Sequence, residues 1–427
     1  INKLGSKVFL SDKKDFSDVA RAEEIRQKFD CEFGGHTEKV LNSELIIVSP
    51  GIPLSIEILQ KAAEKQIPII SEIELGYCIK SLDSRIIAIT GSNGKSTTVS
   101  LIKHILSEAG FNTLLAGNIG NALTKNEIEK PGIDYIVLEL SSFQLELIDQ
   151  FRANIASVLN ITPDHLNRYN SLEEYAETKF NIFKNQADQD LAILNLDDPL
   201  SKKFSNSIFA DRKYFSTRKK ADIYFNERYI ALEDKYGYYY FEPSQSNLIG
   251  NHNISNMMVA IIIAYNCGVQ PKTIKKALKS FQPLPHRLEL VKKINGTKIY
   301  NDSKATNTDS VKYALESFQA GIHIIMGGSD KSEDYSQLLP YLKINTKKIY
   351  LIGETAEKMK SIFEKTAKSE IYPDLKTATT EAINNAETDD IVILSPACAS
   401  YDMFDNFEDR GNQFKQIVRN YSNAKLY

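Results

Sequence analysis

The chain has few cysteines and no pattern that would let them build a framework. Cys31, Cys78, Cys267 and Cys398 are the four present among 427 residues. They lie far apart and no C-x-x-C occurs, which argues against a disulfide scaffold and against a cysteine zinc site. Long apolar runs are also missing: the longest, residues 257–265, falls well short of the ~20 residues that span a bilayer. No signal peptide is visible, so a cytoplasmic protein with no membrane insertion is expected. Neither sign of charge dominates, with 52 Lys and Arg against 55 Asp and Glu and a formal net charge of −3. That removes the electrostatic case for a nucleic-acid or acidic-membrane partner. There is no internal repeat and no low-complexity segment. The length suits roughly two to four domains, and the chain begins at Ile1 rather than Met.

What is present is organised around residues 85–107. Residues 86–90 form a short apolar run rich in β-branched side chains, which predicts a buried strand. Gly91, Ser92, Asn93, Gly94, Lys95 and Ser96 follow at once. Val99, Ile102, Ile105 and Leu106 then recur at helical spacing until Gly110. Strand, glycine turn, Lys-Ser and helix make a phosphate-binding loop: backbone N–H groups close on phosphate oxygens and the helix N-terminus adds partial positive charge. Lys95 can reach the β- and γ-phosphates, and the Ser96 hydroxyl can meet Mg²⁺. The turn is two residues shorter than G-x-x-x-x-G-K-[ST]. The alternative reading is a plain glycine turn with a solvated lysine.

Ahead of this loop, residues 6–11 read as a strand ending at Asp12, followed by a helix to about Asp30. Strands over 44–49 and 67–71, with a helix over 56–65 between them, complete a small parallel α/β unit. It opens in what reads as a helix tail, so an opening strand and glycine turn are expected upstream or absent. After a polar joint at 80–85, strands are predicted over 135–139, 155–161 and 191–196. A tyrosine-rich stretch over 224–241 reads as an edge hairpin rather than a stacking surface for bases. Residues 283–285 open a last domain with strands over 298–301, 323–326, 348–352 and 391–394, each ending in a polar or glycine turn. That predicts a second doubly wound sheet with ligands off its carboxyl edge. The expected architecture is therefore α/β in three domains, 1–81, 82–284 and 285–427.

Glu139 and the Thr162–His165 turn follow strand ends that a parallel sheet would place beside the phosphate loop. They are candidate Mg²⁺ ligands or water-mediated partners, or else a surface carboxylate and a loop histidine. Lys179 sits on a predicted amphipathic helix, where a lysine is ordinarily solvated. Asn253 and Asn256 either bond a purine or ribose or cap the helix that follows. His286 and Arg287 fall at a domain joint, where an arginine suits transition-state phosphate charge. Lys331 and the stretch 395–407, with the Ser400 hydroxyl, could meet a carboxylate; Lys304 and Lys331 otherwise read as ordinary surface lysines.

The strings GSNGKST, LELSSFQLE, ITPDHLNRY, AETKF, GNHNISN, LPHR, NDSKATN and SPACASYDMFDNF occur in the order seen in Mur ligases, and the chain resembles that family from Arg85 to its C-terminus. Before Arg85 the likeness rests on layout and SPGIP. Among the Mur ligases, NDSKATN, LELSSFQLE and LPHR are similar to the branch that adds D-glutamate. The resemblance implies a cytoplasmic step of peptidoglycan synthesis. ATP would phosphorylate the carboxylate of UDP-N-acetylmuramoyl-L-alanine, and the D-glutamate amine would displace phosphate from the acyl phosphate. It further implies a Rossmann-like domain for the nucleotide sugar, apparently without its first strand, a central phosphate-loop ATPase domain and a Rossmann-like C-terminal domain for D-glutamate.

Residue by residue, the resemblance assigns Gly91, Ser92, Asn93, Gly94, Lys95, Ser96 and Thr97 to the ATP phosphates. Asn253 and Asn256 match adenine contacts, and Arg287 and Asp302 match further ATP contacts. Ser96, Glu139, His165 and a carbamylated Lys179 match the ligands of a pair of Mg²⁺ ions, and Lys95, Glu139, His165 and Lys179 the catalytic set. Asn118 and Ser141 match contacts to the muramoyl substrate; Thr306, Lys331, Ser400, Tyr401 and Phe407 match the D-glutamate pocket. A monomer is expected, and closure of separate domains would keep water from the acyl phosphate. Two departures stand out. Asn167 replaces an acidic residue common in the family, and the glycine-rich turn that helps hold uridine diphosphate is missing, so the chain is expected to be a shortened form. The other readings are a folylpolyglutamate-synthase-like ligase, a phosphate-loop switch without ligation, and an inactive truncated homologue.

Overall fold

The computed structural model describes residues 5–126, 128–163, 168–330 and 333–421. The chain divides into two compact units, one of residues 1–99 and 110–214, the other of 100–109 and 215–427.

The first unit opens with four short strands: β1 (Phe9–Asp12), β2 (Asp30–Phe33), β3 (Ile46–Val48) and β4 (Ile69–Ser71). They are parallel as expected, but they form two separate pairs, β1 with β2 and β3 with β4. Strand β2 reads DCEF, whose charged ends hide it from a hydrophobic-pattern reading; the helix before it closes at Lys28. Val40, Leu41, Ile46, Val48, Ile58, Leu59 and Ala62 make the small core here.

Strands β5 (Arg85–Thr90), β6 (Thr113–Gly117), β7 (Tyr135–Glu139), β8 (Ile155–Val158) and β9 (Leu191–Asn195) follow. They run in the order β9-β8-β5-β7-β6 and are parallel throughout. Every residue of β7 and β8 is buried, as is all of β5 beyond Arg85. Burial on both faces is why these strands read as continuous apolar runs rather than alternating ones. Ile89 lies opposite both Glu139 and Ser157, so the ends of β5, β7 and β8 share one edge. The helix Lys95–Glu108 leaves from that edge, with Val99, Ile102, Ile105 and Leu106 wholly buried.

Strand β10 (Asp211–Ser216) contains the boundary between units. In the second unit it pairs with β11 (Ile223–Phe225), and β12 (Ile230–Asp234) and β13 (Gly237–Phe241) follow antiparallel. β13 is an edge with Tyr236, Tyr238 and Tyr240 exposed, the expected hairpin. The C-terminal sheet comprises β14 (Glu289–Ile294), β15 (Thr297–Asn301), β16 (Ile322–Met326), β17 (Thr346–Leu351), β18 (Ser369–Ile371) and β19 (Ile391–Leu394). Its order is β14-β15-β19-β16-β17-β18, parallel except for β14. Separate apolar clusters cover its two faces, one around Ile324, Tyr335 and Phe363 and one around Ile325, Tyr350 and Phe414, as in a doubly wound sheet. Among the described residues no helix is long and apolar enough to cross a membrane.

Candidate active site

In the first unit the glycine turn after β5 is held both by its neighbour Asn160 and by its own Ser92 and Lys95 side chains. Gly91 has φ +146°, and a Cβ there would stand 3.1 Å from Leu159 Cβ and 3.3 Å from the Asn160 backbone. The turn therefore needs glycine for conformation and for space. Asn160, just past β8, acts as a template: its Oδ1 accepts from Asn93 N–H at 2.9 Å and its Nδ2 donates to the Asn93 carbonyl at 3.0 Å. Ser92 Oγ donates to the Thr162 carbonyl and accepts from its N–H, each at 2.9 Å. The phosphate loop and the Thr162 turn thus meet, as the parallel edge predicts. Asn160 was not singled out in the sequence; its one signal is a lone amide closing an apolar run.

Lys95 Nζ donates to the carbonyls of Gly91 and Ser92 at 2.7 and 2.8 Å. Ser96 and Thr97 are buried in the first turn of the helix. Lys179 corrects the expectation of a solvated lysine: it is 1% exposed. Its Nζ donates to the Gly91 carbonyl at 3.1 Å and lies 4.5 Å from the centre of the Tyr175 ring. Its helix, Leu172–Phe180, turns Tyr175, Ala176, Lys179 and Phe180 inward. Two ammonium groups, from Lys95 and Lys179, therefore share one carbonyl.

Glu139, at the end of β7, is 3% exposed. Its Oε1 accepts from Asn118 Nδ2 at 3.2 Å, while Oε2 is buried and has no hydrogen-bond partner among the described residues. Thr162 Oγ1 is in the same condition. Ser141 caps the helix Ser142–Leu145 through a reciprocal box with Gln144. Asn118 lines a cavity of about 410 Å³ with Ser49, Pro50, Glu72, Gly120 and Gln144. His165 and Asn167 lie outside the described residues. Arg168, next in the chain, forks onto Glu146 at 3.1 and 2.5 Å.

The second unit holds the remaining candidates. Asn253 and Asn256 are buried in the first turns of the helix His252–Asn266, but neither caps it; the N-cap is Asn251. Asn253 Nδ2 donates to Ile249 O and Asn256 Nδ2 to Asn253 Oδ1. The neighbouring His252, not selected from sequence, is pushed down to about 4, first by burial and then by Arg287, and its Nδ1 is a buried atom without a partner among the described residues. Arg287 stands between His286 at φ 64° and Leu288 at φ 43°. Two side-chain-bearing residues in the left-handed region, one on each side of Arg287, mark a strained turn, of the kind that clusters at functional sites.

Asp302 follows β15 and is buried. It accepts from Ser395 Oγ at 2.9 Å and from Leu288 N–H at 3.2 Å. Burial outweighs these bonds and the Arg287 charge, and pushes its carboxyl up to about 7. Ser400 is buried, Thr306 and Phe407 half-buried, and Tyr401 75% exposed. Lys304 departs from an ordinary surface lysine, with Nζ 4.6 Å from the Phe407 ring centre. Lys331 lies outside the described residues.

A fully buried arginine that the sequence reading missed gathers these loops. Arg410 donates through Nε to Ser303 Oγ (3.0 Å), through Nη1 to Ala399 O (3.1 Å), and through Nη2 to Ser303 O (2.8 Å) and Cys398 O (3.1 Å). Burial lowers its guanidinium to about 10. Ser329 N–H donates to Ala399 O at 3.0 Å, so the loop after β16 joins the same edge.

A glycine turn between a buried parallel strand and a helix beginning at Lys95 defines a phosphate-loop α/β protein. Comparison with known proteins narrows the class. Residues 2–71 match the Mur ligase MurD-like N-terminal domain, 89–264 the Mur ligase middle domain and 286–398 the Mur ligase glutamate ligase domain. The chain is 37% identical over 429 residues to UDP-N-acetylmuramoylalanine–D-glutamate ligase of Clostridioides difficile, covering 98% of this chain and 94% of that one. It is 39% identical over 428 residues to the protein of the same name from Christiangramia forsetii, covering 98% and 95%. The chain belongs to the Mur ligase family and, within it, to the UDP-N-acetylmuramoylalanine–D-glutamate ligases.

Solved structures agree on the fold. MurC of Thermotoga maritima superposes with a TM-score of 0.63 at 15% identity, covering 97% of this chain and 99% of that one. MurF of the same organism, solved in complex with ADP, gives 0.64 at 15% identity over 87% and 95%.

Proposed function

We propose that this ligase joins D-glutamate to UDP-N-acetylmuramoyl-L-alanine, using ATP and an acyl-phosphate intermediate, in peptidoglycan precursor synthesis. The observation that carries the reading is identity of 37–39% along almost the whole chain to ligases of that name. The phosphate loop, with Lys95, Ser96 and Thr97, holds the ATP phosphates. The N-terminus of the helix that opens at Lys95 stabilises the charge that builds up on the transferred phosphoryl group. Asn253 and Asn256 take the adenine, Arg287 and Asp302 the rest of the nucleotide. Asn118, which lines the cavity next to β6, and Ser141 take the muramoyl end. Thr306, Lys331, Ser400, Tyr401 and Phe407 take D-glutamate, and Arg410 ties the Ser303 and Cys398–Ala399 segments together.

A magnesium ion needs oxygen ligands. Oε2 of buried Glu139, without a partner among the described residues, fits one, and Ser96 and His165 would be further ligands. Phosphate oxygens of the nucleotide would supply further ligands. When bound, the cation screens the ATP charge from the incoming carboxylate. Lys179 supports the same reading. A second ammonium buried beside Lys95 on the Gly91 carbonyl is electrostatically unfavourable. Reaction of its neutral amine with carbon dioxide, losing one proton, gives a carbamate whose oxygens suit a second Mg²⁺. The chemistry then runs in order. The substrate carboxylate attacks the γ-phosphorus and ADP leaves; the D-glutamate amine attacks the acyl carbon, and the tetrahedral adduct expels phosphate to leave an amide.

Phosphate release from ATP tests this directly. Release should require UDP-N-acetylmuramoyl-L-alanine and D-glutamate together, and L-glutamate or D-alanine should not substitute. Release independent of the amino acid would overturn the ligase reading.

A further inference from the structure

We infer that Asn118 is a positioning residue for Glu139, turning that carboxylate so that one oxygen stays available to a divalent cation. The inference rests on the nucleotide-site reading above and adds a role for Asn118 besides its contact with the muramoyl substrate. The contact has two points. Asn118 N–H donates to the Glu139 carbonyl at 2.8 Å, and Asn118 Nδ2 donates to Glu139 Oε1 at 3.2 Å. The approach leaves no slack: Gly117 has φ +99°, and a Cβ there would lie 2.2 Å from Glu139 O. Glycine at 117 therefore lets β6 end close against β7, and the next side chain lands on the carboxylate.

A buried carboxylate with one oxygen satisfied and one orphaned is costly unless something completes it. Oε2 has no partner among the described residues. The two oxygens are chemically equivalent, so what Asn118 fixes is the carboxylate plane: its amide occupies one oxygen and the other stays unpaired among the described residues. Groups that orient a metal-binding carboxylate in this way commonly matter ten- to a hundredfold in metal affinity.

The test uses the full chain with ADP and Mn²⁺ as the probe, read by electron paramagnetic resonance or calorimetry, with no nucleotide sugar present. A lost muramoyl contact then cannot produce the signal. Asn118→Ala should weaken Mn²⁺ binding to the ADP complex about tenfold or more, and leave metal-free ADP binding unchanged. In an Asn118→Ala/Glu139→Gln double variant the asparagine change should add nothing to the loss from Glu139→Gln alone. Unchanged Mn²⁺ affinity in Asn118→Ala, or a full further loss in the double variant, overturns the inference. A wild-type chain that binds no Mn²⁺ with ADP overturns the nucleotide-site reading beneath it.

Discussion

At the scale of single residues, the site is built on polar groups that burial has pushed away from their ordinary behaviour. Asp302 is raised to about 7 and His252 lowered to about 4, both chiefly by burial. Between about pH 4 and 6.5 the folded chain holds a proton on Asp302 that the unfolded chain has lost, and lacks one on His252 that the unfolded chain carries. Asp302 therefore lowers stability as pH rises from about 4 to 7, and His252 raises it from about 4 to 6.5. The two slopes oppose each other. Asp302→Asn should leave the histidine slope exposed, with denaturation midpoints rising more steeply from pH 4 to 6.5 than in wild type; parallel curves would contradict the burial of Asp302. Arg410→Met removes four hydrogen bonds, to the carbonyls of Ser303, Cys398 and Ala399 and to the Ser303 hydroxyl, and should cost about 3 kcal/mol in urea unfolding; a loss below about 1 kcal/mol would mean that the loops hold without it. Lys179→Ala should abolish turnover, with part of it restored by a short carboxylic acid. Full activity without rescue would remove the carbamate from the mechanism.

Elements decide which of these residues meet. The ends of β5, β7 and β8 are in register, so the glycine turn, Glu139 and Thr162 emerge side by side. Gly91 is closely packed at that edge, and Gly91→Ala must move either Leu159 or the Asn160 backbone. Its ADP affinity should fall at least tenfold, while wild-type affinity would show that the turn tolerates a side chain. Strands β5, β7, β9, β16 and β19 were legible because burial on both faces leaves an uninterrupted apolar run. Strands β2 (DCEF), β10 (DRKYFS), β14 (ELVKKI) and β18 (SEI) were not, since half-exposed strands carry charges that mask the pattern. The site shows the same division. Lys95 and Ser96 announce themselves through a local motif. The burial of Lys179 depends on a carbonyl 88 residues away, and that of Arg410 on partners up to 107 residues away. Neither distance leaves a trace in local spacing.

For the whole molecule, composition only narrows the reading: charge is balanced, the cysteines are scattered and long apolar runs are missing. Matches to the N-terminal, middle and glutamate ligase domains of Mur ligases run from residue 2 to residue 398. Order along the chain carried the family, since each motif is short and none alone distinguishes a ligase from another phosphate-loop protein. The central claim is that ATP is spent on activating a carboxylate rather than on hydrolysis by water. The most direct test supplies UDP-N-acetylmuramoyl-L-alanine labelled with ¹⁸O in its alanine carboxylate, with ATP and D-glutamate, and follows the label by mass spectrometry. Activation through an acyl phosphate passes one carboxylate oxygen to each phosphate released, in step with amide formed. Unlabelled phosphate would mean that water attacks ATP and that no acyl phosphate forms.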